Sequence, residues 1–254
     1  SHEGQYPHLS FEANYANLFG YKNDNLHSIL EVQYVSGGLG EGSTYPSQNI
    51  PPNLSLSLVN VKSLLFTSSV QVSQDLIDSY DPADTRFGVT IDTSYVTNDD
   101  PPQQGNTPFF RKFVDFGLTS LTNYDDWPEN FPLLRYADVL LMEAEVLNDR
   151  AATPPARAIQ ILNRIRARGG LGPVTPATKS DFSLALEKEY RHEFADEGQY
   201  WYYLVRNERA IPVINAWFKA TGVNKTIDTH NLYYAIPQTE MDIYPGLYTQ
   251  NPGY

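Results

Sequence analysis

Carboxylates are the first groups in this chain that could do chemistry. Glu143 and Glu145 lie two apart, and Glu193, Asp196 and Glu197 fall within five positions. Two carboxyl groups facing one substrate can cleave a glycosidic bond, one protonating the leaving oxygen while the other attacks or activates water. The spacing speaks against that use. Residues two apart on a helix point to different faces. Glu193 and Glu197 share a face but neighbour Arg191, which suits solvated faces and helix-packing ion pairs. The five histidines, His2, His8, His27, His192 and His230, include no i, i+4 pair of the kind that grips a metal. Loop acids Asp99, Asp100, Asp125 and Asp126 carry oxygen ligands of the calcium type but lack an EF-hand pattern. There is no cysteine, so thiolate zinc sites, disulfides and Cys nucleophiles are excluded. No Gly-x-Ser-x-Gly elbow, Walker loop or GxGxxG occurs. The sequence therefore predicts no catalytic residue, no metal and no cofactor.

Binding is better represented. The chain has 18 Tyr, 12 Phe and 3 Trp. Such rings combine an apolar face with, in Tyr and Trp, a polar tip, and this suits sugar C–H faces and hydroxyl rims. Three loops hold the candidates. Residues 35–53 carry Tyr45 and follow Tyr34, residues 97–108 form a second loop, and residues 120–130 carry Asn123, Tyr124 and Trp127. Tyr34, Tyr45, Asn123, Tyr124 and Trp127 are the predicted ligand-binding residues. Trp201 and Trp217 fall in helical stretches and are expected in the core.

These loops need a scaffold. With 254 residues, 41% hydrophobic and 19% charged, the chain can bury a sizeable core. A net charge of −12 disfavours nucleic acid and anionic lipid. No apolar run approaches the roughly 20 residues of a membrane span. Residues 1–130 are loop-rich, with strands predicted at 28–34, 86–91 and 109–116 and a helix at 70–80. Glycine and proline forbid regular structure across 35–53. Leu134, Ala137, Leu141, Ala144 and Asn148 define one helix face. A second helix, capped by Thr153-Pro154, ends at Gly169-Gly170. The pair spans 133–168, near the period of about 34 residues of a tetratricopeptide hairpin. One hairpin cannot bury its own face, so partner helices or a second copy are expected to cover it. A third helix is predicted from 180 to 206 and a fourth from 211 to 219. Residues 223–254 return to an extended segment.

Six segments, in order, resemble the SusD/RagB family: NDNLHSILEVQY (23–34), LIDSYDPADTR (76–86), FPLLRYADVLLMEAEVLND (131–149), LNRIRARGGL (162–171), EFADEGQYWYYLVR (193–206) and IPQTEMDIYPGLYTQNPGY (236–254). Tyr190, Tyr200 and Tyr203 stand where the family commonly has Arg, Arg and Asp, which puts the family's buried ion-pair network around the third helix in doubt here. The resemblance implies a mainly α fold, a tetratricopeptide-like hairpin and further helices packed against an irregular loop-rich lobe with few short strands. It implies a single C-terminal domain over 1–254, with a ligand-binding lobe at 1–130, a helical part at 131–222 and an extended end at 223–254. It further implies a non-enzymatic glycan-binding protein of the Bacteroidetes outer-membrane surface, lipid-anchored through an N-terminal part absent from this chain. Its partners would be an oligo- or polysaccharide and a SusC-like TonB-dependent transporter. A protein-interaction module, or capture of a peptide nutrient on the helical face, is the alternative. Family site residues vary, so none is transferred by position.

Overall fold

A computed structural model describes residues 10–20, 27–56 and 69–254. Helices dominate it, and strands are short. The chain divides into two compact units, Ser1–Glu197 and Gly198–Tyr254.

In the first unit, Asn14 caps a 3₁₀ turn at Tyr15–Leu18 by accepting the Ala16 N–H. Strand β1 (Ser28–Val32) follows. Residues 35–53, read as wholly irregular, contain helix α1 (Tyr45–Asn49), in which Pro46 occupies the first turn, where a missing N–H is harmless. Helix α2 (Gln74–Ser79) begins where the Ser73 hydroxyl accepts from Leu76 N. The strand expected at 86–91 is instead helix α3 (Phe87–Thr90), with only β2 (Ile91–Asp92) extended. Its turn starts at Asp84, whose carbonyl accepts the Phe87 N–H at 3.2 Å. Next come β3 (Tyr95–Val96), β4 (Gln104–Gly105) and β5 (Phe109–Phe110). Of the strand predicted at 109–116, only those first two residues pair. The ribbons are antiparallel: β2 with β5, β3 with β4.

The helical part starts later than its periodicity suggests. Phe131–Arg135 forms strand β6, antiparallel to β1 with Val32 opposite Phe131 and Ser28 opposite Arg135. The register slips twice within it, in a strand whose Pro132 has no N–H to offer. Helix α4 (Tyr136–Asp149) then begins where the Asp138 carboxylate accepts the Arg135 N–H at 2.8 Å. Helix α5 (Ala156–Arg168) starts after Pro155, not at Thr153, and stops at Gly169. Helix α6 (Lys179–Glu193) has a capping box between Thr178 and Asp181.

α4, α5 and α6 pack on one another. Leu140, Leu141 and Ala144, Ala158, Ile161, Leu162 and Ile165, and Phe182, Leu186 and Tyr190 are all buried. The hairpin read from sequence is therefore part of a three-helix cluster. Its outer α4 face keeps Met142 and Val146 exposed.

The predicted 180–206 helix is broken. Asp196 (φ 69°) and Gly198 (φ 77°) are left-handed. Side chains also take over the local backbone: Lys112 Nζ donates to the Ala195 carbonyl at 2.8 Å and Tyr45 Oη to the Asp196 carbonyl at 3.2 Å. The second unit holds α7 (Gln199–Arg206), α8 (Ala210–Thr221) and α9 (Gln238–Ile243). Trp201 and Trp217 are only half-buried, not core. The segment expected to be extended is ordered by side-chain amides. Gln250 bonds both the N–H and the carbonyl of Ile236, and Asn251 Nδ2 donates to the Tyr234 carbonyl.

One buried acid has a pH consequence. Glu129 is 2% exposed, and among the described residues neither carboxylate oxygen takes a hydrogen bond. Burial, helped by the nearby Asp115 charge, pushes its carboxyl up to about 8. A folded-state value above the unfolded one means that stability is full below about 4.5 and is lost as pH rises from there to about 8. Glu129→Gln is expected to match the wild type at pH 4 and to exceed it by about 2 kcal/mol at pH 9, read by urea unfolding. Equal stabilities at pH 9 would contradict this.

Candidate functional site

The acids that first suggested chemistry are bound into a scaffold. Glu193 accepts from Arg135 Nη1 at 2.9 Å, from Arg86 Nη1 at 3.2 Å and from Arg168 Nη2. Glu197 accepts from Arg135 Nε at 2.7 Å and Nη2 at 2.8 Å, and from Lys112 Nζ at 2.5 Å. Glu189 and Asp84 complete the set around Arg86, at 2.6 Å and at 2.8–2.9 Å. These side chains are almost wholly out of water. Burial alone would raise the Glu193 carboxyl, but Arg168, Arg135 and Arg86 hold it well below the usual carboxylate range. It has no proton to donate at neutral pH.

The ion-pair network that the tyrosine substitutions put in doubt is thus present. Its cations come from outside α6: Arg86, Lys112, Arg135 and Arg168 supply them, so Tyr190, Tyr200 and Tyr203 do not remove it. Glu143 pairs with Arg157 at the surface, at 2.9 and 3.1 Å. His192 is also interior. Its Nε2 lies 2.9 Å from Ser79 Oγ and its ring stacks on Tyr80 at 4.1 Å. Burial, then the Arg86 charge, lowers it to about 3, so it is neutral.

Two of the three predicted binding loops are joined to each other. Ser43 and Trp127 form an antiparallel bridge, with N–H···O distances of 2.7 and 3.3 Å. The Asp126 carboxylate accepts the N–H groups of Gly37 and Gly38 at 3.0 Å and of Thr122 at 3.1 Å. Ser47 Oγ donates to the Tyr124 carbonyl at 2.6 Å and accepts from Trp127 Nε1 at 2.8 Å. Gly42 permits this approach. A Cβ there would sit 2.4 Å from Asp126 Cα and 2.5 Å from the Asp125 carbonyl.

This join sorts the five predicted residues. Trp127 is completely buried, in a cluster with Ile50, Leu54, Phe109, Val114 and Leu121. It cannot offer a ring face to a ligand. Its partner Ser47 lies 80 positions away, beyond the reach of any local sequence pattern. Tyr45 is also a brace. Its ring meets Phe113 and Phe131 edge-on at 5.7 and 5.2 Å, and its hydroxyl donates to Asp196 Oδ1 at 2.7 Å. Asn49 Nδ2 holds the other Asp196 oxygen at 3.0 Å. Tyr34 is half-buried, its N–H on Asn130 Oδ1 at 3.0 Å. Asn123 and Tyr124 remain exposed, Tyr124 by 37%. Beside them the first loop exposes Val35 and Leu39. Asp126, considered for calcium, is an internal clamp that sequence reasoning missed. Its flanking glycines were visible, but their partner was not. Among the described residues no group of three His, Cys, Asp or Glu side chains is placed to hold a metal.

The join therefore presents a platform with an exposed ring, an exposed amide and apolar edges. It can stack and hydrogen-bond.

Comparison with known proteins matches this architecture. The model of the SusD family matches residues 85–254. A SusD-like protein of Bacteroides ovatus is 30% identical over 218 residues, covering 80% of this chain and 38% of that protein. A laminarin binding SusD-like protein of known structure is 29% identical, with a TM-score of 0.71 over 97% of this chain and 54% of its own. A SusD homolog from Bacteroides thetaiotaomicron, at 20% identity, has a TM-score of 0.81 over 97% and 56%. The chain thus spans well under two thirds of the length of each.

Proposed function

The chain belongs to the SusD family, and on that premise we propose that it captures a glycan on the joined loops 35–53 and 120–130 without chemically altering it. The observation that supports this reading most is Tyr124. Its ring is exposed while the Ser47 hydroxyl and the Asp126 clamp fix its backbone. A ring held in place loses little entropy when a sugar stacks on it. Asn123 beside it, whose Oδ1 already accepts the Tyr124 N–H at 2.8 Å, offers its Nδ2 as a donor for hydroxyls. Likeness to a laminarin binding relative makes β-glucans the first ligands to try. Capture would take place at the outer-membrane surface, and the ligand would pass to a TonB-dependent transporter of the SusC type.

Affinity electrophoresis against soluble polysaccharides, laminarin included, with reducing ends assayed in parallel, tests this. Retardation without new reducing ends is expected. Tyr124→Ala should weaken it about tenfold, the loss of one stacking contact of roughly 1–1.5 kcal/mol. New reducing ends would overturn the non-enzymatic reading, and an unaffected Tyr124→Ala would displace the site.

Protein docking on the helical part retains one supporting observation, the exposed Met142 and Val146 on α4. Under that reading Val146→Asp would abolish capture of the transporter while glycan retardation stays unchanged.

A further inference from the structure

The turn between α2 and α3 plays no part in the loop platform. Ile77 of α2, Tyr80, Asp81 and Pro82 of the turn that follows it, and Phe87 and Gly88 of α3 line an open cleft of about 380 Å³. That is near the lower end of the size range of small-molecule sites, and it suits one ring and not an oligomer.

Its walls are fixed. Phe87 meets Tyr80 edge-on at 5.3 Å, and Tyr80 is stacked from behind by His192 at 4.1 Å. Tyr80 Oη donates to the His192 carbonyl at 3.3 Å. The polar groups are one-sided. Asp84, also in the lining, has both carboxylate oxygens on Arg86. Asp81 is exposed. Its Oδ1 takes the Ala83 N–H at 2.9 Å, and among the described residues Oδ2 takes none. Among the described residues no Lys, Arg, His, Asn or Gln lines the cleft. It thus offers a free acceptor and no free side-chain donor, so the ligand must bring hydroxyl hydrogens, and an anion is repelled.

Gly88 adds an independent observation. It lies in a helix with an ordinary φ, and a Cβ built on it meets no atom within 4 Å. Glycine in a helix costs about 0.5–1 kcal/mol against alanine. Neither backbone conformation nor packing among the described residues calls for it here, and as a lining residue it keeps that wall of the cleft free of a side chain.

We propose that this cleft is a second carbohydrate site, taking a single uncharged pyranose residue with its C–H face against Phe87 and its hydroxyls donated to Asp81. The choice of a sugar rests on the glycan-binding reading above; the size limit, the acceptor chemistry and the exclusion of anions come from the cleft itself.

The test titrates the protein with methyl glucoside, galactoside, mannoside and N-acetylglucosaminide, and with methyl glucuronide, by saturation-transfer NMR. At least one neutral glycoside should bind with a Kd of roughly 1–20 mM, and the glucuronide should not bind. Gly88→Leu should fold with an unchanged or higher Tm and lose that binding. Asp81→Asn should weaken it about fivefold, the value of one charge-assisted hydrogen bond. Silence from every neutral glycoside up to about 50 mM, or undiminished binding to Gly88→Leu, overturns the proposal. Polysaccharide retardation measured on the same variants separates the two readings. If it persists in Gly88→Leu while glycosides fail to bind the wild type, the cleft proposal alone falls; if both are absent, both fall.

Discussion

Glu193→Gln should destabilise the first unit by roughly 3–5 kcal/mol, the usual cost of breaking a buried ion pair from one side. The substitution keeps shape and volume but removes the charge that faces Arg86, Arg135 and Arg168. Three guanidinium groups out of water would then share only Asp84, Glu189 and Glu197. Glu143→Gln, which removes one end of a surface pair, is the control and should cost at most about 0.5 kcal/mol. The pH dependence has a definite sign. A carboxyl held below its unfolded value adds stability that is full above about 4.5 and is lost as pH falls. The gap between wild type and variant should therefore narrow on acidification from pH 7 to pH 3, as read by urea unfolding followed by circular dichroism. A cost below 1 kcal/mol at pH 7 would mean that the network is dispensable.

Gly42→Ala should separate the two binding loops. One methyl group would lie well inside contact distance of the Asp125 and Asp126 backbone, and backbone cannot swing aside as a side-chain tip can. The bridge between Ser43 and Trp127 must then open, and with it the seat of the buried indole. A loss of about 2–4 kcal/mol is expected, in the range of a disrupted core position, together with loss of polysaccharide retardation. Gly40 is the comparison. An added Cβ there meets nothing within 4 Å. Its φ of 78° makes Gly40→Ala strained, by about 1 kcal/mol, but the loops stay joined and retardation should survive. If Gly42→Ala retains full binding, the join is not what presents the ligand surface.

What the sequence disclosed follows the range of the interactions. The α4 and α5 faces were legible because Ala137, Leu141, Ala144, Ala158, Ile161 and Leu162 repeat at helical spacing, a local signal. The boundary at Arg135 was not. Phe131, Leu133 and Leu134 fit either period, and only the partner strand at 28–32 decides between them. Phe87–Thr90 was misread because β-branched residues beside a glycine suggest a strand, whereas Asp84 sets a turn ahead of them. The sequence put its candidate residues on two loops that the structure joins, and the roles inside those loops were not readable. Trp127 and Tyr45 look like binding rings until Ser47 and Asp196 are placed beside them. The ion-pair network was in doubt because three positions near its acids carry Tyr, while its cations arrive from four other segments.

The separation of those partners also bears on the order of assembly. Arg135 and Arg86 precede the Glu193 they bind by 58 and 107 positions. During synthesis these cations, with Lys112, leave the ribosome before any of the α6 acids. The loop-rich residues between them are therefore expected to settle only when α6 arrives. Contacts of such long range slow the search for the native state. The first unit should fold late and all at once, with α6 as the closing piece, and a chain arrested before residue 189 should remain accessible to proteases and chaperones however many of its loops have been translated.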